Sequence, residues 1–152
     1  MIRARLKDAL KQTEAQGRDD ELAVLRLIRT AIRDRDAAAH LKGRNGIDDN
    51  EILDMLRTML RQRDESIRAY EQSGRIELVE QELHEQDVIR GFLPPQMSDD
   101  EIDAAVRATV AACCAKGLKD MGRTLDALRS AYGPEMDLSS ASAKVKRMLR
   151  GC

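Results

Sequence analysis

The feature that most constrains this chain is a pair of consecutive prolines, Pro94 and Pro95, set in a sequence that has only one other proline, Pro134. Neither ring supplies a backbone N–H, and each forces the residue before it out of the helical region, so no helix can run through this point. A restart signal follows at once. Ser98 with Glu101 three residues later forms a capping-box pattern, and Asp99 and Asp100 stand where a helix N-terminus favours negative charge. The stretch Gly91-Phe92-Leu93-Pro94-Pro95-Gln96-Met97-Ser98 therefore reads as a hinge between two subdomains, 1–93 and 94–152, with Phe92 and Leu93 expected at their contact.

Composition decides what the subdomains are built from. Charged residues make up 35% of the chain and aromatic ones 2%, a balance that favours helices of Leu, Ile, Ala, Met, Arg and Glu over strands. The expected fold class is all-α, about four helices followed by a three-helix bundle. No apolar run reaches 18 residues, and no basic segment leads into an apolar one at the start, so neither a membrane span nor a secretory signal is expected. A cytoplasmic protein is the plain reading. Cys113, Cys114 and Cys152 fit neither a disulfide framework nor zinc-ligand spacing and read as small residues in a reducing compartment.

Periodicity divides the first subdomain. Ile2, Leu6, Ala9 and Leu10 recur at helical spacing before Gly17. A second helix, capped by Asp19 or Asp20, would bury Leu22, Leu25, Ile28, Ala31 and Ile32, with Val24 and Leu27 widening the face and Arg26, Arg29 and Arg33 beside it. The Lys42-Gly43-Arg44-Asn45-Gly46 loop leads to a third helix from Asp48 or Asp49, with Ile52, Leu56, Met59, Leu60 and Ile67 inward and Arg57, Arg61 and Arg68 on a flank. Ser73-Gly74 ends it. The fourth helix, roughly 75–90, has Ile76, Val79, Leu83 and Ile89 as core candidates.

In the second subdomain a helix from Ser98 to about Lys116 places Ile102, Ala105, Val106, Thr109, Val110 and Cys113 on one side, with Gly117 as its stop. Met121, Leu125 and Leu128 mark a sixth helix that ends at Gly133-Pro134. Ser139 caps a seventh, in which Leu138, Ala141, Val145, Met148 and Leu149 face inward while Lys144, Lys146, Arg147 and Arg150 stay in water.

Net charge is -1, but its distribution is uneven. Residues 71–103 carry two Lys/Arg against ten Asp/Glu, and residues 104–152 carry nine against four. Local potential, not the total, recruits a polyanion. Lys116, Lys119 and Arg123 lead into the sixth helix, and Lys144, Lys146, Arg147 and Arg150 lie along the seventh, so these seven cations are the candidate nucleic-acid contacts. Phosphate neutralisation by them would weaken steeply with salt. With no Trp and a single Phe, base stacking is scarce and readout would rest on shape and backbone.

Four segments in order carry a family resemblance: Leu25-Arg26-Leu27-Ile28-Arg29-Thr30-Ala31-Ile32; Gln62-Arg63-Asp64-Glu65-Ser66-Ile67 with Ser73-Gly74-Arg75; Phe92-Leu93-Pro94-Pro95-Gln96-Met97-Ser98 with Glu101-Ile102; and Lys119-Asp120-Met121-Gly122. On these the chain resembles the YqeY-like family, whose sequences are similar to the C-terminal tail domain of the tRNA-dependent aspartyl/glutamyl amidotransferase. The family usually has a Gly where this chain reads Leu125-Asp126-Ala127-Leu128. The resemblance implies two helical subdomains and a partner that is tRNA, held at its elbow. An alternative is a protein-interaction module whose acidic fourth helix docks an amidotransferase subunit or a tRNA synthetase.

Catalytic patterns are not found. The nine glycines are scattered singly, without the spacing of a phosphate-binding loop. His40 and His84 have no His or Cys at metal spacing, Cys113 and Cys114 read as inert residues inside a helix, and the Glu77–Glu85 acids read as a solvated face. No metal, cofactor or catalytic residue is expected. Amidotransfer needs phosphate and Mg2+ contacts, which the resemblance assigns to a separate catalytic domain, so an association with carbon-nitrogen ligation using glutamine as amido donor would be inherited from the shared tail.

Overall fold

The computed structural model describes residues 1–151 and divides the chain into two compact units, Met1–Leu93 and Pro94–Cys152. All regular structure among the described residues is helical. The first unit holds α1 (Ile2–Ala15), α2 (Asp19–Leu41), α3 (Asp49–Gln72) and α4 (Ile76–Arg90); the second holds α5 (Asp99–Ala112), α6 (Met121–Tyr132) and α7 (Leu138–Arg150), with short 3-10 turns at Leu118–Asp120 and Gly133–Glu135.

In the first unit α2 packs on α1, α3 and α4, and α3 lies along α4. Its core joins Ile2 and Leu6 from α1, Val24, Leu25, Ile28 and Ile32 from α2, Ile52, Leu53, Met55, Leu56 and Met59 from α3, and Ile89 from α4. Phe92 and Leu93 belong to this same cluster. Set at a subdomain contact by the sequence reading, they are core residues of the first unit, carried inward by the turn that closes α4 through Phe92 N–H to Ile89 O and Leu93 N–H to Arg90 O.

Several flanks differ from their periodicity. Leu27 is 50% exposed, and on α4 Ile76 and Leu83 are 70% and 45% exposed. The arc of α4 that faces inward is centred on Ile89, Gln86, Glu85 and Glu82, and Ile76 and Leu83 sit roughly a third of a turn away from it. That polar arc is possible because α3 presents Arg63 and Asp64 to it: Arg63 pairs with Glu85 at 3.2 Å and Gln86 donates to Asp64 at 2.6 Å. Arg57, placed on a flank of α3 by its periodicity, is buried and pairs with Asp54.

Helix ends follow local chemistry. Asp48 caps α3 by accepting from Glu51 N–H, whereas the N-cap of α2 is Arg18, not Asp19 or Asp20, and makes no side-chain cap bond. Gly74 stops α3 with φ +72°, its neighbour Arg75 donating back to Tyr70 O. α5 stops earlier than its apolar pattern suggested, because Cys114 takes the same left-handed position at φ 51° and Ala115 donates back to Val110 O. Cys113 is thus the half-buried cap residue just after Ala112, the last residue of the helix, and Cys114 is exposed beyond it; neither lies inside the helix. Cys152 lies outside the described residues.

In the second unit α5, α6 and α7 enclose Ile102, Ala105, Val106, Val110, Leu128, Met136, Ala141, Val145 and Leu149. The capping box at the start of α5 is complete, with Glu101 N–H to Ser98 Oγ and Ser98 N–H to Glu101 Oε2. Met97 N–H to Glu135 O and Gln96 Nε2 to Pro134 O tie the strand of chain before α5 to the turn before α7. Asp137, not Ser139, caps α7 by accepting from Ser139 N–H. Among the described residues no helix is long and apolar enough to cross a membrane.

Candidate nucleic-acid interface

The candidate surface is built on α7 and on the turn that precedes α6. Ala141, Val145 and Leu149 fix the inward stripe of α7, and the positions between them are consequently turned toward neighbouring helices or solvent. Lys146, Arg147 and Arg150 are exposed. Lys144 is not in water with them: its side chain is 11% exposed, and its Nζ bonds Asp103 at 2.8 Å and Asp99 at 3.1 Å on α5. It falls on the α5 flank of α7, where the acids that open α5 neutralise it. The bond to Lys144 holds the Asp103 carboxyl below its usual range, with Arg107 and Arg147 adding smaller attraction, and the same two acids raise Lys144.

The second cluster surrounds Asp120. Lys116 N–H donates to its carboxylate at 2.9 Å and Arg123 Nη2 bonds it at 3.1 Å, while the buried Thr124 hydroxyl donates to Asp120 O at 2.9 Å. The Lys116 amide is the main reason that the Asp120 carboxyl titrates lower than usual, with Arg123 and Lys119 contributing. One acid therefore shapes the corner that displays Lys116, Lys119 and Arg123, all exposed. The turn Leu118–Asp120 packs against both α6 and α7, so the two groups of cations belong to adjoining elements of one unit.

Of the seven residues predicted, the structure leaves Lys116, Lys119, Arg123, Lys146, Arg147 and Arg150 at the surface and commits Lys144 to an internal pair. The sequence reading passed over Arg107. It is exposed on α5 one turn beyond Asp103, and its spacing from that acid was the signal that could have found it.

Other groups that could carry chemistry are dispersed. His40 and His84 are exposed, and among the described residues no group of three or more His, Cys, Asp or Glu is placed to hold a metal ion. Glu82 and Glu85 are partly buried on α4, not fully solvated as the sequence suggested. Burial first, and then the Glu85 charge, pushes the Glu82 carboxyl up.

The profile of the family described as Yqey-like protein matches residues 2–149. The chain belongs to the YqeY-like family. The match runs through both units, so Lys144, Lys146 and Arg147 of α7 and the Asp120 corner of this YqeY-like chain lie inside the matched span, and Arg150 lies just beyond it. A search of the curated proteins finds no match.

Proposed function

We propose that this YqeY-like chain is a cytoplasmic tRNA-binding accessory protein, related to the tail of the glutamine-dependent amidotransferase and without a catalytic centre of its own. The observation that carries this reading is the exposure of Lys146, Arg147 and Arg150 on α7 beside a turn that displays Lys116, Lys119 and Arg123. Each is long enough to reach a phosphate, and the Asp120 bond to Arg123 is a solvent-screened pair that a polyanion can displace at little cost. Lys144 takes a supporting role by joining α7 to α5. Filter binding of bulk tRNA across a salt series tests the reading. Affinity should fall steeply with salt, and changing Lys119, Arg123, Lys146 and Arg147 together to Glu should abolish binding. Absence of binding at low salt, or equal binding by the variant, rejects it.

A second reading, a docking module for an amidotransferase or tRNA synthetase subunit, draws on α4, where exposed Ile76 and Leu83 lie among Glu77, Glu80 and Asp87. Copurification of such a subunit that survives RNase and is lost in an Ile76→Asp, Leu83→Asp variant favours it over RNA binding.

A further inference from the structure

We propose that the cleft between α1 and α2 binds a small organic anion that carries an aliphatic chain. The cleft, about 340 Å³, is lined by Leu6, Leu10 and Ile32 and by Arg3, Lys7, Arg29 and Arg33, a volume within the range of small-molecule sites. Its two chemistries are separate. The three apolar side chains form a floor continuous with the core of the first unit, since Leu6 and Ile32 are buried in that core and Leu10 packs against it. The cations stand around that floor, and no acid lines the cleft.

The four cations are not equivalent. Arg3 is held in place by Asp36 and by Ile47 O, so it forms a fixed end wall whose charge is already matched. Among the described residues Lys7, Arg29 and Arg33 enter no ion pair. Arg29 is only partly exposed, and its Nε is buried without an acceptor. A buried donor left unmatched is an unfavourable arrangement that an incoming acceptor can relieve by drawing the guanidinium outward. A carboxylate or phosphate head over Arg29, Arg33 and Lys7, with its chain on Leu6, Leu10 and Ile32, answers both halves of the cleft. Lysine and arginine stems alone could cover the same floor, and the two cases differ in what the cleft captures. The site lies in the first unit and stands whether or not the second unit binds RNA.

Amide chemical shifts of the isotope-labelled full chain, titrated with octyl phosphate, octanoate, hexyl phosphate, inorganic phosphate and octyl glucoside, test this. Octyl phosphate or octanoate should shift amides around Leu6, Leu10 and Ile32, and comparing the two tells a phosphate head from a carboxylate. Hexyl phosphate should bind more weakly, by about two- to fourfold per methylene removed. Inorganic phosphate and octyl glucoside should leave those amides unmoved at the same concentration. Arg29→Gln with Arg33→Gln should weaken the octyl anions at least about tenfold, and Arg33→Gln alone should weaken them less, with the thermal transition checked for each. Equal binding of octyl glucoside or inorganic phosphate, no response to octyl phosphate or octanoate, indifference to both variants, or shifts centred elsewhere would overturn the proposal.

Discussion

Arg3 donates both terminal nitrogens to the Asp36 carboxylate, each at 2.8 Å, joining α1 to a residue 33 positions away on α2. Asp36 also accepts from Ile47 N–H at 2.9 Å, and Arg3 Nη2 donates to Ile47 O at 2.8 Å. One ion pair therefore gathers two helices and the loop that enters α3. A bidentate pair with a backbone donor on the same carboxylate is stronger than an ordinary surface pair.

The Arg3 bond, then the Ile47 amide, lower the Asp36 carboxyl to about 2, from 3.8. A depressed carboxyl stabilises the fold above its unfolded value and loses that contribution as the folded value is reached. Asp36→Asn should therefore cost about 1–2 kcal/mol at pH 7, the full linkage being discounted for the half-exposed Arg3. The gap between the two proteins should close between about pH 4 and pH 2. Urea unfolding at a series of pH values reads it, and a gap that persists at pH 2 would show that Asp36 acts through packing rather than charge.

Gly46 stands against the same pair. Its φ is +140°, and a Cβ there would lie 2.9 Å from Asp36 Oδ1 and 3.7 Å from Arg3 Nη2. The carboxylate cannot swing aside without releasing Arg3 and the Ile47 amide. Gly46→Ala should lose about 2–3 kcal/mol, combining backbone strain with a broken pair. Gly17→Ala, whose Cβ meets nothing within 4 Å, should lose less in the same chemical denaturation.

Lys144 separates structure from recognition in the second unit. Lys144→Gln should lower the melting temperature, because Asp99 and Asp103 lose their partner. The Asp103 carboxyl is lowered and Lys144 is raised, so the pair contributes from above the ordinary carboxyl value up toward the lysine range and fades as Asp103 is protonated in acid. The melting difference should be greatest near neutrality and shrink below about pH 4. In the same variant the salt slope of tRNA binding should stay as it was; a slope reduced by about one would count Lys144 among the phosphate contacts.

The helical order was readable because Leu25, Ile28 and Ile32, or Ala141, Val145 and Leu149, repeat at helical spacing and end up buried together. The start of α5 was readable from Ser98 and Glu101, whose reciprocal bonds are local in sequence. The inward face of α4 was hidden because its side chains, Gln86 and Glu85, are polar and find partners on α3 more than twenty residues earlier. The same limit hid Lys144: nothing within α7 tells it apart from Lys146, and only the packing of α5 supplies Asp103. The end of α5 was missed because a cysteine fills a position normally read from glycine.

At that end Cys114 holds φ 51° with an exposed side chain. A side chain in the left-handed region costs about 1 kcal/mol, partly offset by the greater freedom of glycine in the unfolded chain. Cys114→Gly should raise stability by about 0.5 kcal/mol and Cys114→Val should lower it by about 1 kcal/mol or more. In the unmodified protein a thiol reagent should label Cys114 before the half-buried Cys113, and the reverse order would contradict the position of the helix end.

Gln86 tests what seats α4 on α3. It is 2% exposed, and its Nε2 donates to Asp64 at 2.6 Å and to Leu60 O at 3.3 Å. Gln86→Ala removes both bonds and opens a void, at about 1–3 kcal/mol. Gln86→Leu keeps the volume. Asp64 is exposed and can turn to water, and Leu60 O lies inside α3, where the helix supplies its own donor. Neither partner is stranded, so the Leu variant should lose less than about 1 kcal/mol. Hydrogen exchange of the α4 amides, followed with the urea midpoints, distinguishes the cases. If Leu proves as costly as Ala, the polar bonds of Gln86 to α3 hold α4 in place. If Leu is tolerated, the volume of the side chain at position 86 matters more than its bonds to α3.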